Sequence, residues 1–415
     1  LGKKYILNRI NTEVLIIGAG PAGSVAAGIL HQKGKKILMV EKEQFPRFVI
    51  GESLLPGCMK PLEEAGMIDD LKQMGFQEKG GALFLRKEEV CDFSFEDQFS
   101  DGYNWTWQMP RAEFDKCMTD NLQKRGVDIR FRTAVTHIEF NGSDSVTTLT
   151  DADGETYEVA AKFIIDASGY GRVIPRMFNL DKPSDLPSRK TYLAHMTDSK
   201  RNDYQQPNRI HAIIQKPDCW TWVIPFSTGK TSVGFVRLPE QFGEYEGTDK
   251  EIYKSLVADE PFLQERFSEE SFVMEPRTLQ GWSVSTDKFY GPGFVLTGNV
   301  TEFLDPIFSS GVTLAVISSS RAAALVADTL DGQEVDWERD YKEYMKQGID
   351  VFRTYVMAWY EGDLYKIFFT KNISVKIKSQ ICSVLAGYVW DLTNPFVRSH
   401  KESVRNLVNA IDSGL

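Results

Sequence analysis

The sequence predicts an α/β fold. A parallel, nucleotide-binding sheet is assembled from both ends of the chain, an antiparallel sheet is inserted within it, and a helical region follows. Three observations carry this prediction. Apolar runs that stop in small-residue turns occur at residues 14–20, 163–169 and 293–299, far apart in the chain. Between Thr191 and Leu238 four strand-like runs follow one another with no long helix between them, as antiparallel strands do. Residues 334–410 have helical spacing with aromatic faces.

The first of these runs organises the rest. Val14-Leu15-Ile16-Ile17 is a buried parallel strand that stops at Gly18, and Gly18, Gly20 and Gly23 form a G-x-G-x-x-G. Gly18 permits the sharp turn, Gly20 lets backbone N–H groups approach a pyrophosphate, and Gly23 lets the following helix sit close to the sheet. The helix start, with Pro21 and Ala22, presents free N–H groups and the positive end of its dipole to the phosphates. A second run, Lys36-Ile37-Leu38-Met39-Val40, ends in Glu41, where a carboxylate grips ribose hydroxyls. Strand, glycines, helix and Glu41 together point to a dinucleotide site over a plain tight turn.

Composition limits the partners. The chain has 415 residues and a net charge of −10, which argues against nucleic acid and against a polybasic membrane anchor. Its length calls for two or three cores. The five cysteines (Cys58, Cys91, Cys117, Cys219, Cys382) are scattered without a C-x-x-C, as in reduced cytoplasmic proteins, and predict neither disulfides nor a metal site. No secretory leader is expected. Residues 312–330 are apolar but carry Ser318, Ser319, Ser320, Arg321 and Asp328, and so predict a packed helix without a membrane span. Localisation is expected to be cytoplasmic.

After Glu41, residues 44–56 form a loop rich in Gly and Pro. Residues 58–74 are helical and 76–86 a strand with a glycine-loosened start. Residues 91–107 suit a short strand pair. Pro110 opens a helix from Arg111 to Lys124. A strand at 126–131 precedes a meander (135–140, 145–150, 157–162) that leads into the second apolar run. Residues 181–190 form a linker, and 240–290 are mostly polar and helical. The expected domains are 1–180 and 291–333 for the nucleotide-binding fold. The inserted sheet domain is 181–290, with contributions from about 76–110, and the helical region is 334–415.

Taken together, Gly18-x-Gly20-x-x-Gly23, Glu41, Arg111, Asp166-Ala167-Ser168-Gly169 and Gly298-Asn299 resemble the FAD-binding scaffold of p-hydroxybenzoate-hydroxylase-type flavoproteins over about residues 12–330. The resemblance implies a Rossmann-like domain that binds FAD. Glu41 and Lys42 would lie at the adenosine ribose, and Arg47, Ser53 and Arg111 would hold the pyrophosphate side and the loop beside it. Asp166 and Gly169 would form a turn near the cofactor. Gly298, Asn299, Pro306, Gly311 and Val312 would lie beside the ribityl chain and ring system. The scaffold usually has Gly-Asp where this chain has Gly298-Asn299, an amide that still hydrogen-bonds a hydroxyl but adds no charge.

Three further pieces resemble flavin-dependent halogenases. Trp220-Thr221-Trp222-Val223-Ile224-Pro225 matches W-x-W-x-I-P, and residues 303–311 match F-x-x-P-x-x-S-x-G. Residues 45–56 look like that family's early loop. Tryptophan-specific members carry Glu at the place of Phe308, so the resemblance is closer to the branch acting on phenols and pyrroles. It implies that reduced FAD, from a separate reductase, and oxygen oxidise chloride or bromide held near Ser309, Ser310 and Gly311. Lys79 would then present the halogen to a small aromatic substrate, free or carrier-bound. Trp220, Trp222 and Pro225 would wall the substrate from the flavin. Gly80 and Gly81 are expected to leave room for a substrate ring.

Plain alternatives stand beside these. Trp220 and Trp222 face one side of a strand and are also ordinary core aromatics. Ser309 and Ser310 are good N-caps. Glu52 and Ser53 suit turns, Arg47 and Lys79 suit solvated positions, and the histidines, His195 and His211 included, are expected to be packing or surface groups. Trp105 and Trp107 are expected to pack ahead of the helix at Arg111. A monooxygenase or geranylgeranyl-reductase-like enzyme shares the scaffold, as does a flavoprotein without halogenating activity.

Overall fold

The computed structural model describes residues 9–414 apart from 217. The uninterrupted apolar character of Val14–Ile17 reflects burial on both faces, as parallel strands between two layers require. Val14 and Ile16 point into the core shared with the helices, whereas Leu15 and Ile17 point into a second core with Leu38, Ile164 and Leu296.

The parallel strands run, in spatial order, Asp128–Arg130, Ile37–Val40, Arg9–Ile17, Thr156–Asp166 and Phe294–Leu296. The first half of Thr156–Asp166 also pairs with the antiparallel meander Asp144–Thr150 and Ala134–Asn141, which covers the second core. On the opposite face helix Pro21–Gln32 packs against helix Ser310–Leu330. The latter is long and apolar enough to cross a membrane, but 67% of its apolar window is buried inside the protein. It serves as a core helix.

The second sheet has seven strands, in the order Phe272–Gln280, Lys190–Thr197, Lys230–Arg237, Cys219–Pro225, Ile210–Lys216, Gly81–Arg86 and Glu89–Ser94. All neighbours are antiparallel except Gly81–Arg86 on Ile210–Lys216. Four expectations need correction here. Residues 240–290 are not simply helical: after helices Asp249–Ala258 and Pro261–Phe267, Phe272–Gln280 is an edge strand. Its Glu275, Pro276 and Arg277 are residues that edges tolerate and that hide a strand from pattern reading.

The run 76–86 breaks at Gly80 into Gln77–Lys79 and Gly81–Arg86, which join different sheets. Within 91–107 the two strands do not pair with each other. Glu89–Ser94 pairs with Gly81–Arg86, and Thr106–Gln108 with Gln77–Lys79. In the expected linker, Asp181–Lys182 pairs with Ser285–Thr286. The C-terminal helices, including Tyr344–Tyr360, bury Phe352, Tyr355, Trp359 and Phe368 against the rest of the protein.

Candidate active site

A cavity of about 360 Å³ runs from the glycine turn to the tryptophan sheet. At its first end, Gly18 has φ +97°, and a Cβ there would lie 2.5 Å from the Ala167 carbonyl oxygen. A Cβ on Gly23 would lie 1.9 Å from the Gly18 oxygen, so Gly23 serves helix packing and does not line the cavity. Gly20 is open, with Arg47 Nη2 at 3.6 Å the nearest atom to a built Cβ. Gly20, Pro21 and Ala22 line the cavity, and no side chain caps the helix start. Its first-turn N–H groups are left for a ligand.

Glu41 is buried; its Oε2 accepts from the Ala19 N–H at 2.9 Å and its Oε1 from the Glu43 N–H at 3.0 Å. The carboxylate thus fixes the glycine turn and keeps further lone pairs for a diol. Lys42, Arg47, Ser53 and Arg111 also line the cavity. Arg47 and Arg111 both donate to the buried Asp115, at 2.8–3.0 Å. Asp115 thus pins both guanidinium groups beside the phosphate end, where Glu43 also stands 3.9 Å from Arg47 Nε.

Asp166 is buried behind the lining. Its oxygens accept from the Ser168 and Ile174 N–H groups, and burial pushes its carboxyl up from the usual range. It shapes the turn, and Ala167, Ser168 and Gly169 do the lining. Gly298 likewise stands behind Asn299, bonded through its N–H to Ser318 Oγ at 2.9 Å. Pro306, Ser309, Gly311 and Val312 line the cavity, while Ser310 is buried outside it with an unpartnered hydroxyl. Ser309 holds φ +55° at the start of helix Ser310–Leu330, a left-handed turn that is strained for a non-glycine residue.

Side-chain alternation builds the other end. Trp220, Trp222 and Ile224 on one strand and Ile210 and Ala212 on the next face the cavity. Pro225 does not; its carbonyl accepts from Gln108 at 2.6 Å. The Trp222 indole lies over Gly234, where a Cβ would sit 2.0 Å from Cζ2, and it donates to Ser232 Oγ at 3.1 Å. Trp220 donates to the Tyr360 hydroxyl at 3.1 Å, and Tyr360 donates to Asp305 Oδ2 at 2.9 Å. The Arg189 guanidinium stacks on the Tyr360 ring at 3.4 Å. Burial raises the Asp305 carboxyl to about 6, against the lowering effect of the Ile307 N–H and Arg189. Asp305 thus caps the turn at Pro306–Phe308 and anchors Tyr360 with its other oxygen.

Lys79 is 2% exposed and does not line the cavity. Its Nζ donates to Ser53 Oγ and to the Leu54 carbonyl, both at 2.8 Å. Burial lowers its pKa to about 7; Cys58 opposes this and Arg209 adds to it. The space expected beside Gly80 and Gly81 is filled, since a Cβ on Gly81 would meet Arg209 Nη1 at 2.6 Å. The aromatic helical spacing that includes Tyr360 gave no sign of its bonds to Trp220 and Asp305, nor of the pairing of Glu52 with His195, 2.7 Å apart at the cavity edge. The face of His195 on Lys190–Thr197 was the available signal.

The cavity fits FAD on its own geometry: an open glycine turn, uncapped helix start, buried acid and paired arginines at one end, aromatics at the other. The FAD binding domain family matches residues 11–289. The chain is 26% identical to the 1H-pyrrole-2-carbonyl peptidyl-carrier-protein brominase of Pseudoalteromonas luteoviolacea, over 91% of this chain and 92% of that one. It is 54% identical to a flavoprotein/dehydrogenase from Cytophaga hutchinsonii, with a TM-score of 0.96 over 98% of this chain and 100% of that one. A triple mutant of the flavin-dependent brominase Bmp2 superposes with a TM-score of 0.83 at 26% identity, over 97% and 100% of the two chains. The protein belongs to the FAD binding domain family, as an FAD-dependent oxidoreductase of the flavin-dependent-halogenase-like kind.

Proposed function

We propose that the protein halogenates an electron-rich aromatic ring, with Lys79 as the group that carries the halogen. The observation behind this is the buried amine itself. Burial lowers the Lys79 pKa to about 7, which brings a neutral, nucleophilic amine within reach near neutral pH. FAD, when bound and reduced, supplies with oxygen the two-electron oxidation of halide to hypohalous acid.

The chain's own groups do the rest. The turn from Ser309 to Gly311 aims helix-start N–H groups at the cavity and holds the halide. The amine meets the cavity through Ser53, which lines it and accepts one of the two Lys79 hydrogen bonds. Neutral Lys79 attacks hypohalous acid, water leaves, and the N-halogen passes to the ring. Trp220 and Trp222 exclude water and keep the ring off the flavin. The named relative acts on a carrier-bound pyrrole, which supports a pyrrole or phenol, free or carrier-bound, as substrate. A separate reductase would supply reduced FAD.

The test is direct: reduced FAD, oxygen and bromide with a panel of phenols and pyrroles, read by mass spectrometry. A brominated product that disappears in Lys79→Ala is expected. A second reading, hydroxylation or reduction on the same scaffold, is favoured by one finding. Arg209 fills the space beside Gly80 and Gly81, and Lys79 stands outside the cavity lining. Hydroxylated product, or aromatic-stimulated NADPH oxidation without bromination, would replace the first reading by the second.

A further inference from the structure

The flavin cavity meets a second, outer pocket of about 270 Å³, and the boundary holds an acid–base pair that the chemistry above does not use. Glu52 lines both spaces and His195 lines the outer one. His195 Nε2 and Glu52 Oε1 are 2.7 Å apart. Glu52 is 3% exposed, and its Oε2 is buried without a hydrogen-bond partner. Such an oxygen is costly to leave bare, which points to a proton or donor that visits it.

The neighbouring charges do not satisfy it. Arg47 and Arg111 both donate to Asp115, Lys79 bonds to Ser53 and Leu54, and Arg277 stacks on Phe48. Phe48 and Phe226 flank the imidazole edge-on, with ring centroids at 6.2 and 5.3 Å. The His195 side chain keeps 12% exposure and lines the outer pocket, which gives solvent a route to the dyad from that side.

The reaction proposed above consumes protons inside the cavity. An aromatic C–H, a halide anion, oxygen and the anion of reduced FAD give an aromatic halide, FAD and two waters only if two protons are added. We infer that Glu52 and His195 form a proton relay from the outer pocket to the flavin cavity, an inference that rests on the oxygen-dependent reading of this site. The Nε2–H bond of His195 breaks as an O–H bond forms on Glu52. The carboxyl releases that proton on the cavity side, and His195 takes another from solvent.

The test uses the full chain with FAD, as His195→Ala with and without added imidazole, His195→Gln, and Glu52→Gln. Two products are followed. One is the brominated aromatic. The other is hydrogen peroxide formed without halide, where the anion of reduced FAD, oxygen and one proton give FAD and peroxide. All three variants should slow both by about 10²-fold, the scale of a positioned proton transfer. Imidazole should restore His195→Ala and not Glu52→Gln. FAD binding to the apoproteins, measured by calorimetry, should match the parent.

A relay-dependent peroxide signal with no brominated product in the parent would sink the halogenase reading and leave the relay standing. Parent-like rates in folded His195→Gln, or no rescue of a folded His195→Ala, would overturn the relay. So would FAD affinity falling in step with rate in Glu52→Gln, which would make Glu52 a flavin contact.

Discussion

The two ends of the cavity are built by different means. At the glycine end, backbone does the work: Gly18, Gly20, the uncapped helix start and Glu41 lie within one βαβ stretch. At the tryptophan end, side chains from distant segments hold one another. Trp220 is bonded to Tyr360, 140 residues away, and Tyr360 to Asp305. A local backbone cradle is set by sterics that each residue type carries with it. A clamp of side chains exists only once the C-terminal helices have docked. The difference teaches that cofactor capture and substrate handling should fail separately under mutation.

The largest separation is expected at Lys79. Lys79→Ala and Lys79→Arg should keep FAD and the oxygen-dependent consumption of reduced FAD, yet lose halogenated product by about 10³-fold. A guanidinium hydrogen-bonds but is a poor nucleophile. In the parent, product formation should rise with pH through about 7 as Lys79 loses its proton. The stability linkage has a definite sign. Lys79 is lowered from 10.5 to about 7 in the folded protein, so between those values the unfolded chain binds more protons. Stability should therefore climb with pH across that window, by up to about 1.4 kcal/mol per pH unit, and flatten below it. Denaturant titrations of the parent against Lys79→Met, which lacks the titrating amine, measure it.

At the glycine end, Gly20→Val should weaken FAD binding by about 10²-fold, equivalent to roughly 3 kcal/mol, in a protein that still folds. Gly20 has φ −68° and ψ −170°, which valine adopts, and a Cβ there has only Arg47 within 4 Å. Unchanged flavin occupancy in the folded variant would remove the site.

Smaller effects are expected in the clamp. Tyr360→Phe strands Trp220 Nε1 in the interior, removes one donor from the buried Asp305, and should cost about 1–3 kcal/mol. FAD affinity should hold while product per reduced FAD falls several-fold. An unchanged ratio of product to flavin consumed would mean that Tyr360 only packs. Ser232→Ala removes the single bond from Trp222 and should cost about 1 kcal/mol, with Gly234 still seating the indole. A loss as large as that of Tyr360→Phe would mean that the two tryptophans depend equally on their hydrogen bonds.

What the sequence by itself determined was whatever depends on short spacing. Gly18, Gly20, Gly23 and Glu41 specify the nucleotide turn because φ freedom, close packing and strand-end placement are local properties. The strand-like runs between Thr191 and Leu238, unbroken by a long helix, specify an antiparallel sheet for the same reason. Tertiary structure decided the rest. It put Gly23, Asp166 and Gly298 behind the lining and not in it. It split residues 76–86 between two sheets, so that Lys79 is buried on Ser53 and Leu54 while Arg209 fills the space beside the glycines. It brought His195 to Glu52 and Tyr360 to Trp220. Single-residue chemistry made each of these groups a candidate for something. Burial, and the partner that burial selects, fixed where each one works, and both are set by contacts between segments that sequence spacing does not encode.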